Sequence, residues 1–401
     1  MSMAWSIRCA ALCTCALLLP GLAARPARAG EQPPVYPYWE EYHVADGLPS
    51  DKIMAVAADG PRLWIGTDHG AALLADGRFT VFHRQDGLAH EAVLSLAVDH
   101  ETGDVWFGTG GGLSRYSAGR WTTFTQLDSG LPNDVVFGVA VEEQNPWVAT
   151  TAGTGRYRVR DHGWDVYTPA NSPQHEPWGY FVDYGGGKVW AALWGGGLLE
   201  FDPRKMTWKS YRDPDGEMEI DLFRDDGIIH VITTGVSWSE GSTWVSTYFG
   251  LSRYDGHAWR SYMEKDSGLA SDFINFVKAK GRVAWICTDK GLSAVDADSE
   301  RVVTYTPIHG PMEGQRGWEA RIYEAGRLVR RQKLARGLAN NFLWGVAFTG
   351  DDVWVASSAG LSRGSLRPLP PRRPPEKQQP SLQTGSPGPA AAAGAGTGGR
   401  R

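Results

Sequence analysis

Cysteine is nearly missing from the part of this chain that can fold: of four cysteines, Cys9, Cys13 and Cys15 fall in the first 29 residues, leaving Cys287 alone. One thiol makes no internal disulfide, and with no histidine near it in sequence Cys287 reads as a buried, inert side chain. Long apolar runs are missing too. After the stretch from Cys9 to Ala24, no segment is long enough to cross a bilayer as a helix, so no membrane insertion is expected. The chain contains no C-x-x-C-H, no H-E-x-x-H and no G-x-S-x-G, and its ten histidines are scattered. Covalent haem, a zincin-type metal and a nucleophile elbow therefore have no residues to carry them.

Positive charge is scarce where it would matter for nucleic acid. The chain carries −5; without the three arginines of the first 29 residues it carries −8. The stretch after Gly364 holds Arg367, Arg372, Arg373, Lys377, Arg400 and Arg401 against Glu376, which leaves the body near −13. Such a body repels nucleic acid and anionic membrane surfaces. Residues 365–401, rich in Pro, Ala and Gly, are expected to form a disordered basic tail. Residues 1–29 have the form of a secretory signal, with Arg8, an apolar stretch and Ala27-Arg28-Ala29 before Gly30, so a periplasmic or secreted protein is expected.

What the chain does have is tryptophan at a regular beat. Trp64, Trp106, Trp147, Trp190, Trp244, Trp285 and Trp354 are spaced by 42, 41, 43, 54, 41 and 69 residues, so a unit of about 40 residues recurs. Within a unit come an alternating segment, a Trp run such as Leu63 to Thr67, a Gly turn, a Gly-Leu-Ser-Arg-Tyr run and a closing aromatic strand. Period-two alternation with Gly punctuation predicts four short strands per unit, which is a propeller blade. The closing strand is marked by Phe79/Phe82, Trp121/Phe124, Trp164/Tyr167, Trp208/Tyr211, Trp259/Tyr262 and Val302/Tyr305. The seventh unit lacks this pair, while an orphan copy, Trp39/Tyr42, precedes the first. An open ring would expose a strand edge, so the expected fold is all-β: a seven-bladed β-propeller over residues 30–364, closed by an N-terminal strand that completes the last blade.

The recurring Asp46-Gly-Leu-Pro-Ser-Asp51, Leu63-Trp-Ile-Gly-Thr67, Val105 to Tyr116 and Thr247 to Gly256 resemble the two-component regulator propeller repeat over about residues 38–364. The resemblance implies a periplasmic sensor-type module that binds a ligand, often a glycan fragment. In that family a membrane span and kinase follow; neither follows here, so the implied partner is a separate membrane sensor or envelope protein.

Loops between an outer strand and the next inner strand, and turns between second and third strands, open on one face of a propeller, and two long insertions fall there, residues 212–227 and 307–336. Of the seven turns after the Trp strands, blades four and five alone place aromatics, Trp194 and then Tyr248-Phe249. Trp178 should lie close by, and Trp318 and Tyr323 fall in the second insertion. These six are the candidate ligand-binding residues, with flat faces suited to a sugar ring or a protein partner. Packing beneath the long loops is the competing reading.

No organic cofactor is called for. Asp213, Asp215 and Glu219 in the first insertion are the candidate metal ligands, for calcium, although three carboxylates are too few unaided. The second insertion is net +4, from Arg316, Arg321, Arg327, Arg330, Arg331, Lys333 and Arg336 against Glu313, Glu319 and Glu324. With one Gly and no Pro between Ala320 and Ala335, part of it is expected to be helical. No catalytic residues are assigned. Ser237 to Trp244 nearly copies a sialidase Asp-box with Ser239 in place of its Asp, and it occurs once. A structural scaffold in an envelope assembly and a carbohydrate-active lyase or hydrolase are the alternatives to recognition.

Overall fold

The computed structural model describes residues 32–213, 227–309 and 316–371. Seven antiparallel sheets follow one another, each a meander read outward from its first strand. The inner strands are Ile53–Asp59, Val93–Val98, Val136–Glu142, Gly179–Gly185, Thr233–Ser239, Ile274–Lys280 and Leu343–Thr349. Each touches the next and the last touches the first, which closes a seven-bladed ring around a central channel.

The repeat's residues each have a structural task. The marker tryptophans Trp64, Trp106, Trp147, Trp244 and Trp285 are fully buried between blades. Arg115, Arg253 and Arg363 of the third strands lay their guanidinium groups over Trp106, Trp244 and Trp354 at 5.5, 5.6 and 5.5 Å. Thr67 closes the following turn by donating its hydroxyl to the Gly70 carbonyl at 2.8 Å, as Thr109 does to Gly112. The acidic residues of the linker are caps: Asp46 accepts from His43 N–H and Asp51 from Val44 N–H, at 2.8 and 2.7 Å. Asp134 and Asp272 repeat the second contact in later linkers.

The ends of the chain close the ring as expected. Tyr38–Tyr42 pairs with Gly360–Ser365, with Trp39 opposite Gly364 and Tyr42 opposite Leu361. The preceding residues reach further, into blade six. Tyr36 N–H donates to the Tyr305 hydroxyl at 2.8 Å, that hydroxyl donates to the Pro34 carbonyl at 3.1 Å, and the Tyr36 ring packs on Trp285 at 5.7 Å.

Blade six departs from the plan, and the helix expected between Ala320 and Ala335 is not there. Arg316–Glu324 and Arg327–Leu334 form a β-hairpin on the outer strand Val302–His309, giving this blade six strands. Ala320 and Ile322 are buried at 0% and 1% exposure with half-buried Arg321 between them, while Glu319 is buried against Arg321 on the other face of the strand. The hairpin also mends a gap. Val302 stands where other outer strands carry Phe or Trp, and Tyr323, paired opposite Val302, supplies the missing ring. It presses on Gly268 as Trp121 presses on Gly87, so close that a Cβ at either glycine would overlap the ring.

Candidate functional site on the upper rim

Linkers and turns meet on one face because the backbone ties them there. The Trp194 N–H donates to the Trp178 carbonyl at 3.0 Å, Tyr248 N–H to Ile232 at 3.4 Å, Asp289 N–H to Phe273 at 3.4 Å and Ser358 N–H to Phe342 at 3.1 Å. Just inside this ring every inner strand bulges at its second residue, which drops out of the ladder: Met54, Leu94, Phe137, Tyr180, Thr234, Asn275 and Trp344. Alternation alone does not reveal a bulge, so these seven positions were invisible to a strand-by-strand reading of the sequence.

Across blades three to six the rim is continuously aromatic. Phe137 stacks on Tyr180 at 5.6 Å and meets Trp178 at 6.0 Å; Trp178 stacks on Trp194 at 5.6 Å. Trp194 stands perpendicular to Tyr248 at 5.1 Å, and Tyr248 stacks on Phe273 at 4.3 Å. Trp178, at 37% exposure, presents the most open face, with the exposed Glu176 passing beside Gly195. Of the candidate residues, Trp178, Trp194 and Tyr248 are thus brought together, and Phe137, Tyr180 and Phe273 join them unforeseen. Phe249 turns outward onto His230 at 4.5 Å. Trp318 and Tyr323 are not brought to this rim: Trp318 packs on Gly337 and Tyr323 on Gly268 beneath the sixth-blade hairpin.

The turn carrying Trp194 is one residue longer than its counterparts, since Leu193 pairs with Gly197 where Thr67 pairs with Gly70. Leu193 has no hydroxyl to close it. Thr233 of blade five does so instead, donating to the carbonyls of Leu193 and Gly197, each at 2.9 Å. Lending this hydroxyl across the blade boundary ties the Trp194 turn to the start of the next inner strand.

Beneath the rim, side chains of blades four and six meet inside the channel, in front of blade five. Phe181 of blade four meets Phe276 of blade six edge-on at 5.3 Å; these blades are not neighbours, so the contact crosses the channel. Asp183 and Lys278 cross it as well, at 3.7 Å, and Asp183 accepts from Trp238 N–H at 2.8 Å. Burial, with the Tyr248 charge second, pushes the Tyr180 phenol up to about 12, and burial raises Tyr248, so both stay protonated donors at neutral pH.

His230 accepts from Ile232 N–H through Nδ1 at 3.0 Å, and burial lowers its basicity, which keeps the imidazole neutral. Asp213 is buried, while Asp215 and Glu219 lie outside the described residues. Among the described residues no three His, Cys, Asp or Glu gather in a way that could hold a metal. Cys287 is fully buried, and burial pushes its thiol up, as an inert cysteine requires. The Asp-box-like stretch is the turn between Thr233–Ser239 and Ser242–Thr247, at the end of the blade away from the rim.

No family model and no curated protein sequence matches this chain. Solved structures do resemble it. The extracellular domain of the putative hybrid two component system BT4673 from B. thetaiotaomicron superposes with a TM-score of 0.58 at 14% identity, over 82% of this chain and 40% of that one. The corresponding domain of BT3049 from the same organism gives 0.53 at 13% identity, over 83% and 54%. The computationally designed Ika8 protein gives 0.50 at 10% identity, over 79% and 96%. The chain thus spans about half or less of the two extracellular domains. Among the described residues no helix is long and apolar enough to cross a membrane. At these identities the likeness shows the fold alone, and this chain shares its seven-bladed β-propeller architecture with parts of the extracellular domains of these putative hybrid two component systems.

Proposed function

We propose that this chain is an extracytoplasmic recognition propeller of sensor type, which holds a ligand bearing sugar rings against Trp178, Trp194 and Tyr248 and acts through a separate envelope protein. The observation that carries this reading is the unbroken run of ring contacts from Phe137 to Phe273. Flat apolar faces gain most from partners that are themselves flat and weakly charged, and the neutral Tyr180 and Tyr248 hydroxyls add hydrogen-bonding capacity. The likeness to extracellular sensor domains supports the same reading, as does the signal-like leader. Asp51, Asp134 and Asp272 of the rim linkers cap backbone N–H groups, so those three carboxylates hold the turns that carry the rings.

Calorimetric titration and thermal shift with a panel of neutral and acidic oligosaccharides test it. A saturable response is expected from the intact protein, lost in Trp178→Ala and Trp194→Ala and retained in Tyr38→Ala, which removes an exposed ring from the closing strand. A response that survives both rim substitutions would move the site elsewhere.

A further inference from the structure

Every blade ends in an outer edge strand, but the other six are four or five residues long, and the sixth-blade hairpin replaces its own with one of eight. Its last strand, Arg327–Leu334, ends the six-stranded sheet with no further strand beside it among the described residues. Eight residues at about 3.3 Å each give roughly 26 Å of unpaired backbone. Arg327, Arg330, Arg331, Lys333 and, just beyond, Arg336 are all exposed there, on a body otherwise strongly acidic. Arg331 shares Glu319 with Arg321. Among the described residues Arg327, Arg330, Lys333 and Arg336 have no carboxylate partner at all.

The register distributes these cations. Arg330 pairs opposite Ile322, on the side whose inner members, Ala320 and Ile322, are buried; Arg331 and Lys333 pair opposite Arg321 and Glu319, on the other side. Just before Arg330 the strand bulges at Val329, and Leu328 and Val329 stand 40% and 53% exposed. Charge alone would blunt an edge against aggregation. Two apolar side chains left open near its start do not serve that end. Two copies of this strand would repel one another, so the occupant is a different chain.

We infer that the Arg327–Leu334 edge is a docking strip for an acidic extended segment of a partner protein, which adds as a seventh strand to blade six. Backbone hydrogen bonds to the free edge would supply register, carboxylates on both faces would meet Arg330 on one side and Arg331 and Lys333 on the other, and Leu328 and Val329 would be covered. The strip lies on the outer circumference, away from the aromatic rim, so ligand and partner can be held together. The inference concerns the partner and stands or falls apart from the rim ligand.

The test uses the full chain and a fluorescein-labelled eight-residue peptide of Glu, Thr and Val, read by anisotropy at low and moderate salt. Its controls are the same peptide with Lys for Glu and the same peptide N-methylated at alternate amides. Binding of the acidic peptide is expected, at least tenfold weaker when N-methylated and at least tenfold weaker to the Arg330→Glu, Lys333→Glu double variant. Amide hydrogen exchange within residues 327–334 should slow on binding, and the melting temperature of the double variant reports that it folds. Equal affinity for the N-methylated peptide would reduce the strip to diffuse ion attraction and overturn the proposal. So would unchanged exchange in that strand, stronger binding of heparin that ignores the backbone, or no binding at low salt.

Discussion

Blades one and four share an interior and differ at the rim. Trp64 and Trp190 are 1% and 4% exposed, and each lies on a second strand paired to both neighbours in the same antiparallel order. At the rim blade one presents Lys52, Met54, Asp68 and His69, with His69 paired to Asp68 at 2.9 Å. Blade four presents Trp178, Tyr180 and Trp194 in the corresponding places. Blade one closes its turn with its own Thr67, blade four with a hydroxyl borrowed from Thr233. Interior positions are held by packing, where any change leaves a void or an overlap. Rim positions bear no such constraint, so the rim is free to carry what distinguishes one blade, and one propeller, from another.

The comparison breaks most sharply if interior and rim tryptophans prove equivalent. Trp147→Ala, at 0% exposure and with its Nε1 donating to Glu142, should destabilise by about 3–5 kcal/mol in urea unfolding. Trp194→Ala, on the rim, should cost less than about 1 kcal/mol, in the range of surface substitutions; equal losses would make the aromatic arc a core. Removal of the ring closure comes next. Trp39→Ala takes a 4% exposed ring from between Tyr36 and Tyr305, and about 3 kcal/mol of lost stability is expected, with earlier protease cleavage near the joined ends.

Thr233→Val sharpens the contrast between the two turns. It leaves the carbonyls of Leu193 and Gly197 without their shared donor, for an expected loss of about 1–2 kcal/mol, and it should loosen the Trp194 turn as seen by faster amide exchange there. Thr67→Val should cost a similar amount and leave the blade-four turn unchanged.

The smallest effect is a matter of pH. His230 is 1% exposed and its folded pKa lies below the ordinary imidazole value near about 6.5. Its contribution is therefore whole above that value and is lost as pH falls through the lower folded one. Asn133 and Asn340 accept the same backbone N–H in blades three and seven. His230→Asn should thus keep the turn while flattening the fall in melting temperature between pH 7 and pH 5; an unchanged slope would show that His230 is protonated without penalty.

Much of this was legible in advance where one residue type has one task. The tryptophan beat counted the blades, and the Trp39/Tyr42 orphan foretold which strand would close the ring. Trp178, Trp194 and Tyr248 could be chosen because the turns align by their glycines. Tyr180 and Phe137 could not, since a bulge shifts them out of the alternation that would have placed them. The run Ala320 to Ala335 was misread as partly helical because a stretch with no Pro and a single Gly permits a helix and a strand alike. What decided was the open edge of Val302–His309 and the missing large residue at Val302, and neither is a local property of residues 320–335.

The sequence by itself determined the repeat, its number and its closure, because these rest on periodic burial and on side chains bonding to their own loop. Tertiary structure decided which rings meet across blade boundaries, that Phe181 and Phe276 meet inside the channel, and where the sixth blade places its longer edge. Those features depend on distances between residues far apart in the chain, and such distances exist once the ring has closed.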